Sequence, residues 1–76
     1  SYKDQRELDD LPAKIAKLEA EIAKLGEAMA DAGFYARDPA GFAKTSSRLE
    51  AAQGELAVAE ERWLELEALK EELAAG

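Results

Sequence analysis

Large apolar residues recur along the first part of the chain in alternating steps of three and four residues. The series is Leu8, Leu11, Ile15, Leu18, Ile22, Leu25, Met29 and Ala32. This spacing places the side chains on one narrow stripe of an α-helix, which is the seam that a coiled coil buries. A second stripe comprises Phe42, Thr45, Leu49, Ala52, Leu56, Ala59, Trp63 and Leu66, continued by Lys70 and Leu73. The chain is therefore predicted to be all-α, with two long helices.

The residues between the two stripes contain a helix stop and a helix start. Gly33 suits the left-handed position that often ends a helix, and Asp38 followed by Pro39 suits an N-cap and a first helical turn. Because the connection is short, the helices must be antiparallel neighbours. We predict one coiled-coil hairpin domain over 1–76, divided into an N-terminal segment over 1–10, a first helix over 11–32, a hairpin loop over 33–38 and a second helix over 39–74.

The antiparallel arrangement predicts which residues share a core layer. The expected pairs are Leu8 with Leu66, Leu11 with Trp63, Ile15 with Ala59, Leu18 with Leu56, Ile22 with Ala52, Leu25 with Leu49, Met29 with Thr45, and Ala32 with Phe42. The same register places Asp4 opposite Lys70 as an ion pair. At the edges of the core it brings together residues of like charge, Lys14 with Arg62 and Glu21 with Glu55.

Pro12 interrupts the first stripe. Its ring crowds the preceding turn and it has no N–H to donate to the carbonyl of Leu8, so a kink or a break is expected before it. We favour a separate short helix over roughly Tyr2 to Leu8, with Asp9 or Asp10 capping the long helix that follows. The alternative is one continuous bent helix.

The sequence contains none of the common catalytic arrangements. It has no Cys and no His, which excludes thiol nucleophiles, imidazole bases and the usual zinc sites. No Gly-rich phosphate loop is present, and a hairpin of 76 residues offers no deep cleft to shift a carboxylate pKa. We therefore expect no enzyme activity, no cofactor, no metal and no small-molecule substrate. No apolar run is long enough to predict a membrane span.

Charge is distributed unevenly along the chain. The formal net charge is −7, but residues 24–48 carry four basic and three acidic groups, whereas residues 49–76 carry two and eight. Basic residues near the loop could neutralise phosphates, and Tyr35 beside them could stack on a base. The candidate nucleic-acid-binding residues are Lys14, Lys17, Lys24, Tyr35, Arg37, Lys44 and Arg48. The alternative is that scattered lysines only keep an acidic coiled coil soluble.

Several motifs resemble the C-terminal domain of Uup-type ABC-F ATPases. They are Ser1-Tyr2-Lys3-Asp4-Gln5-Arg6-Glu7-Leu8 with Leu11-Pro12, then Ile15, Leu18-Glu19-Ala20-Glu21, Phe34-Tyr35, Asp38-Pro39, Phe42 and Glu60-Glu61-Arg62-Trp63-Leu64-Glu65-Leu66-Glu67. The resemblance covers essentially the whole chain. It implies a cytoplasmic bacterial protein whose two upstream cassettes bind ATP and Mg²⁺, with this chain as its terminal coiled coil. It also implies DNA, or ribosomal RNA, as the partner.

Two other functions are compatible with the sequence. The hairpin could dock on the ATPase cassettes or on another protein, or it could associate with itself into a four-helix assembly. Both depend on Leu64 and Leu69, which lie off the main stripe and are expected to be exposed. We expect the fragment to be a monomer, and its start at Ser1 without a Met predicts a piece of a longer protein.

Overall fold

The computed structural model describes all residues from 1 to 76. It contains three helices, α1 over Tyr2–Ala30, α2 over Phe34–Arg37 and α3 over Pro39–Ala75. α1 and α3 pack against each other along their length, and the molecule measures 59 × 17 × 14 Å. The predicted all-α hairpin of two long helices is confirmed.

The core is a single layer of side chains between α1 and α3. Its buried residues are Leu8, Leu11, Leu18, Ala52, Ala59 and Leu66, with Ile15, Ile22, Leu25, Leu56 and Trp63 half-buried against them. Every one of these residues belongs to the two predicted stripes. The predicted burial is wrong only at the ends of the stripes, where Ala32, Lys70 and Leu73 are exposed.

α1 runs without interruption through Pro12, so the separate short helix expected before it is wrong. Ser1 is the N-cap, and its hydroxyl accepts a hydrogen bond from the Asp4 N–H at 3.2 Å. Asp9 caps nothing, since its carboxylate accepts from the Gln5 side chain one turn earlier. Breaking the helix would detach the turn that carries Leu8 from the core, and the burial of that leucine offsets part of the proline's cost.

The corner between the long helices also differs from the prediction. α1 ends one residue before Asp31, whose side chain accepts a hydrogen bond from the Gly33 N–H at 3.0 Å. Gly33 has φ −89° and ψ −6°, so the predicted left-handed conformation is wrong. The Asp31 side chain supplies the bond that turns the chain. The stretch expected to be a loop over 33–38 contains the single helical turn of α2.

The start of α3 is as predicted. Asp38 is the N-cap and its carboxylate accepts from the Gly41 N–H at 3.0 Å, while Pro39 occupies the first turn. Glycine at position 41 leaves room for this cap, because a Cβ there would meet the Asp38 carboxylate and require it to move. This cap fixes the direction in which α3 leaves the corner.

Candidate nucleic-acid interface

Arg62 of α3 binds the N-terminal part of α1. Its guanidinium donates two hydrogen bonds to the Glu7 carboxylate, from Nε at 2.8 Å and from Nη2 at 3.0 Å. A third bond, from Nη1, reaches Glu65 at 3.2 Å, and Asp4 lies 3.7 Å from Nη2. Asp4 therefore pairs with Arg62, and the ion pair predicted between Asp4 and Lys70 is absent, although both residues line the same cleft at the open end.

Arg48 repeats this arrangement nearer the corner. It donates two hydrogen bonds to Glu21, from Nε at 2.5 Å and from Nη2 at 2.6 Å, and one from Nη1 to Glu55 at 2.9 Å. Glu21 and Glu55 are the like-charged neighbours predicted at this edge, and Arg48 lies between them and bonds both. The bidentate geometry is the strong form of an arginine–carboxylate contact.

These contacts shift the protonation equilibria of the groups involved. The hydrogen bonds from Arg62 lower the pKa of Glu7, and those from Arg48 lower the pKa of Glu21. The same bonds, together with those to Glu65 and Glu55, raise the pKa of each arginine. The carboxylates are thus held in their charged form by the opposite helix.

We expect the stabilisation from these pairs to disappear in acid. A carboxylate whose pKa is lowered on folding stabilises the fold above its unfolded pKa, about 4.5 here, and the contribution is lost as the pH falls through the lower folded value. Thermal unfolding of the wild type and of the Arg48→Met, Arg62→Met double variant should therefore differ most at neutral pH. The difference in Tm should close steadily below pH 4.5.

The Tm of the wild type must be compared with that of the double variant, because the pH dependence of the wild type alone has a second cause. Protonation of its other carboxylates relieves the repulsion that accompanies a net charge of −7, which acts in the opposite direction. Arg6→Met is the matched control, since Arg6 is in no ion pair and its side chain donates a hydrogen bond to the Tyr2 hydroxyl. A Tm gap for the double variant that stays constant from pH 7 to pH 3 would contradict the assigned role of the pairs.

The predicted lysines of α1 lie beside these arginine pairs. Lys17 and Lys24 are seven residues apart and flank Glu21, and Lys14 lies one turn before Lys17. Lys3 lies two heptads before Lys17 and borders the same depression of the surface as Lys14. All four are exposed, and none is in an ion pair. We call this set the lysine flank: Lys3, Lys14, Lys17 and Lys24.

The corner holds the remaining predicted residues in a different arrangement. Arg37 is paired with Asp31 at 2.8 Å, which lowers the pKa of that carboxyl, and its guanidinium also lies over the Phe34 ring, 6.0 Å from the centroid. Phe42 contacts both Phe34 and Tyr35 edge to face, with centroids 5.6 Å and 5.3 Å apart. The Tyr35 ring packs on Phe42 while 56% of the residue stays exposed.

The structure thus separates the predicted residues into two groups. Lys14, Lys17 and Lys24 share one flank, and Lys44 joins them, because it lies one turn from Arg48, which contacts Glu21. Arg37 and Arg48 are both engaged by carboxylates of the chain itself. The sequence reasoning missed Lys3, although its spacing of two heptads from Lys17 was a visible signal.

Two other features, a metal site and a membrane span, are not found in the structure. No group of three or more acidic side chains is placed to hold a metal ion. Neither long helix contains a stretch that is both long and apolar enough to cross a bilayer.

Comparison with known proteins gives one match. The family model described as the ABC transporter C-terminal domain matches residues 1–68. Neither the curated proteins nor the solved structures include a significant match to the chain. The matched range contains all of α1, the corner and most of α3, including the lysine flank and both arginine clusters. The chain therefore belongs to the ABC transporter C-terminal domain family.

Proposed function

We propose that this accessory domain binds the phosphate backbone of nucleic acid through the lysine flank, and so tethers an ABC-F type ATPase to DNA or ribosomal RNA. Membership of the ABC transporter C-terminal domain family supports the accessory role. The resemblance to Uup-type proteins supports nucleic acid as the partner and the cytoplasm as the location. ATP and Mg²⁺ then belong to the cassettes of the parent protein.

One observation carries the proposal. Two acidic side chains beside the lysines, Glu7 and Glu21, are each ion-paired with an arginine of the opposite helix, Arg62 and Arg48 respectively. The four lysines are in no ion pair, and the further acidic residues at neighbouring helical positions on α1 are Asp10 and Glu27, while the molecule as a whole carries −7. A row of unpaired lysine ammonium groups along one helix is what contact with a phosphate backbone requires.

The geometry suits contact with a backbone more than readout of bases. Lys14, Lys17 and Lys24 extend over about 15 Å of helix, since each residue adds about 1.5 Å. Lysine ammonium groups on flexible stems act as point charges without the fixed fork that reads a base edge. Tyr35 at the corner could add stacking on an unpaired base. The acidic remainder of the molecule makes the expected binding weak and strongly dependent on salt.

We expect the variant Lys14→Gln, Lys17→Gln, Lys24→Gln to lose most of its nucleic-acid affinity. Fluorescence anisotropy at low salt with labelled duplex DNA, branched DNA and single-stranded RNA would measure it. For a duplex, the slope of log affinity against log salt should fall by about 0.9 for each lysine that contacts a phosphate. The DNA or RNA bound most tightly by the wild type would identify the preferred partner.

Two further variants locate the contact. Lys70→Gln removes one positive charge at the open end and should leave the affinity nearly unchanged. Arg37→Gln tests the corner and should have a smaller effect than the triple variant, because Arg37 is already paired. Equal affinity of the triple variant and the wild type would refute the lysine flank. The absence of any binding below about 0.1 mM would refute nucleic-acid binding itself and favour a protein-docking role.

A further inference from the structure

The side of the hairpin away from the lysine flank has an open apolar groove. Its lining residues are Pro12, Ile15, Glu60, Trp63 and Leu64, and its volume is about 400 Å³. Pro12 and Leu64 are exposed there, and Trp63 and Ile15 are half-buried beneath them. Leu64 keeps 61% of its surface in contact with solvent. We call this surface the apolar groove.

The charges around the apolar groove are almost all negative. Residues three, four or seven positions from its lining share its side of each helix. Acidic residues at such spacings are Asp9, Glu19, Glu61, Glu67 and Glu71, in addition to Glu60 in the groove itself. The one basic residue at such a spacing is Lys70, which lines the separate cleft at the open end.

The basic residues are directed elsewhere by helical geometry. Lys14 lies two residues from Pro12 and Arg62 two residues from Leu64, and residues two apart point to opposite sides of a helix. Arg62 is in addition held by Glu7 and Glu65. The hairpin therefore has two faces of different chemistry, one with the lysine flank and one that is acidic around an apolar centre.

The apolar centre and the acidic rim together indicate which kind of molecule the groove can bind. Nucleic acid is repelled by the acidic rim. A second copy of the chain would bring two acidic rims together, which opposes self-association. A basic segment that carries an aliphatic or aromatic side chain matches both features, because its charges complement the rim and its apolar side chain covers Trp63 and Leu64. We propose that the apolar groove binds a lysine- or arginine-rich segment of a protein through one such apolar anchor.

Trp63 provides the measurement, since it is the only tryptophan in the chain and lines the groove. Its fluorescence would be followed during titration with a synthetic amphipathic helix of leucine and lysine. We expect a saturable spectral shift. A peptide with serine in place of leucine should bind about tenfold more weakly, and a leucine–glutamate peptide should not bind. A serine–lysine peptide as tight as the leucine–lysine peptide would overturn the apolar anchor.

Two matched variants test whether the groove is the site. Leu64→Gln should weaken binding of the leucine–lysine peptide about tenfold. Val58→Gln is the control, because Val58 is 67% exposed on α3 but lies at none of the spacings that share the groove. If Leu64→Gln bound the leucine–lysine peptide as tightly as the wild type does, the binding would be nonspecific charge attraction, and the proposal would be overturned. Sedimentation that finds a dimer lost in Leu64→Gln would also overturn it, since the groove would then be occupied by a second copy. The triple lysine variant should keep its peptide affinity, which separates this site from the lysine flank.

Discussion

Leu18→Ala is expected to destabilise the hairpin by about 2–5 kcal/mol, enough to leave much of the chain unfolded. Only six residues are buried, and Leu18, which is 6% exposed, lies at the centre of α1 among them. Its methyl groups fill a single layer of side chains between two helices, with no second layer to collapse into the space. A chain of this length has a total stability of only about 5 kcal/mol, so one cavity consumes a large part of it.

Urea and thermal unfolding followed by circular dichroism would measure this effect. Leu64→Ala is the matched control, because it removes the same atoms from an exposed position of α3 and should change the stability by no more than about 0.5 kcal/mol. If both variants unfolded at the same urea concentration, the core would not lie along the stripe that contains Leu18. The hairpin model itself would then be wrong.

The core could be predicted from the sequence because it depends only on periodicity. A three- and four-residue alternation has one low-energy outcome in water, which is burial of the stripe, and a short connection leaves only an antiparallel partner. The predictions failed where the stripe meets water, at Ala32, Lys70 and Leu73, since no partner residue remains to cover those side chains.

The edges of the core could not be predicted in the same way. Layer positions placed Glu21 beside Glu55 as like charges, but they do not show how far an arginine reaches. Arg48 lies one heptad before Glu55, and its long side chain crosses to Glu21 while also bonding Glu55. Which carboxylates a long arginine side chain reaches depends on its conformation in the folded protein, and sequence spacing does not determine that conformation.

The same limit applies to the candidate site. Basic residues near the loop were grouped by their position in the sequence, whereas binding depends on which charges stay uncompensated after folding. Arg37 and Arg48 are compensated by Asp31 and Glu21, and the lysines of α1 are not. Lys3 was overlooked because it is distant from the loop along the chain, although it shares a helix side with Lys17.

Pro12 is the residue whose local preference the fold overrides. Proline within a helix removes one backbone hydrogen bond and crowds the preceding turn, at a cost of about 3 kcal/mol. α1 nevertheless continues through it, because the turn before it carries Leu8 into the core and Glu7 to Arg62. Pro12 itself is exposed and contributes to the apolar groove instead of the core.

Pro12→Ala is therefore expected to stabilise the hairpin by about 2 kcal/mol, visible as a higher urea midpoint and a higher Tm. The alanine N–H restores the bond to the Leu8 carbonyl, and part of the gain is offset because the unfolded chain becomes more flexible. Pro39→Ala is the control, since Pro39 occupies the first turn of α3, where no N–H is needed, and its loss should be neutral or slightly destabilising. A Pro12→Ala protein no more stable than the wild type would mean that the proline costs the helix nothing. The argument that burial of Leu8 and the Glu7–Arg62 pair hold α1 together across a weak point would then fail.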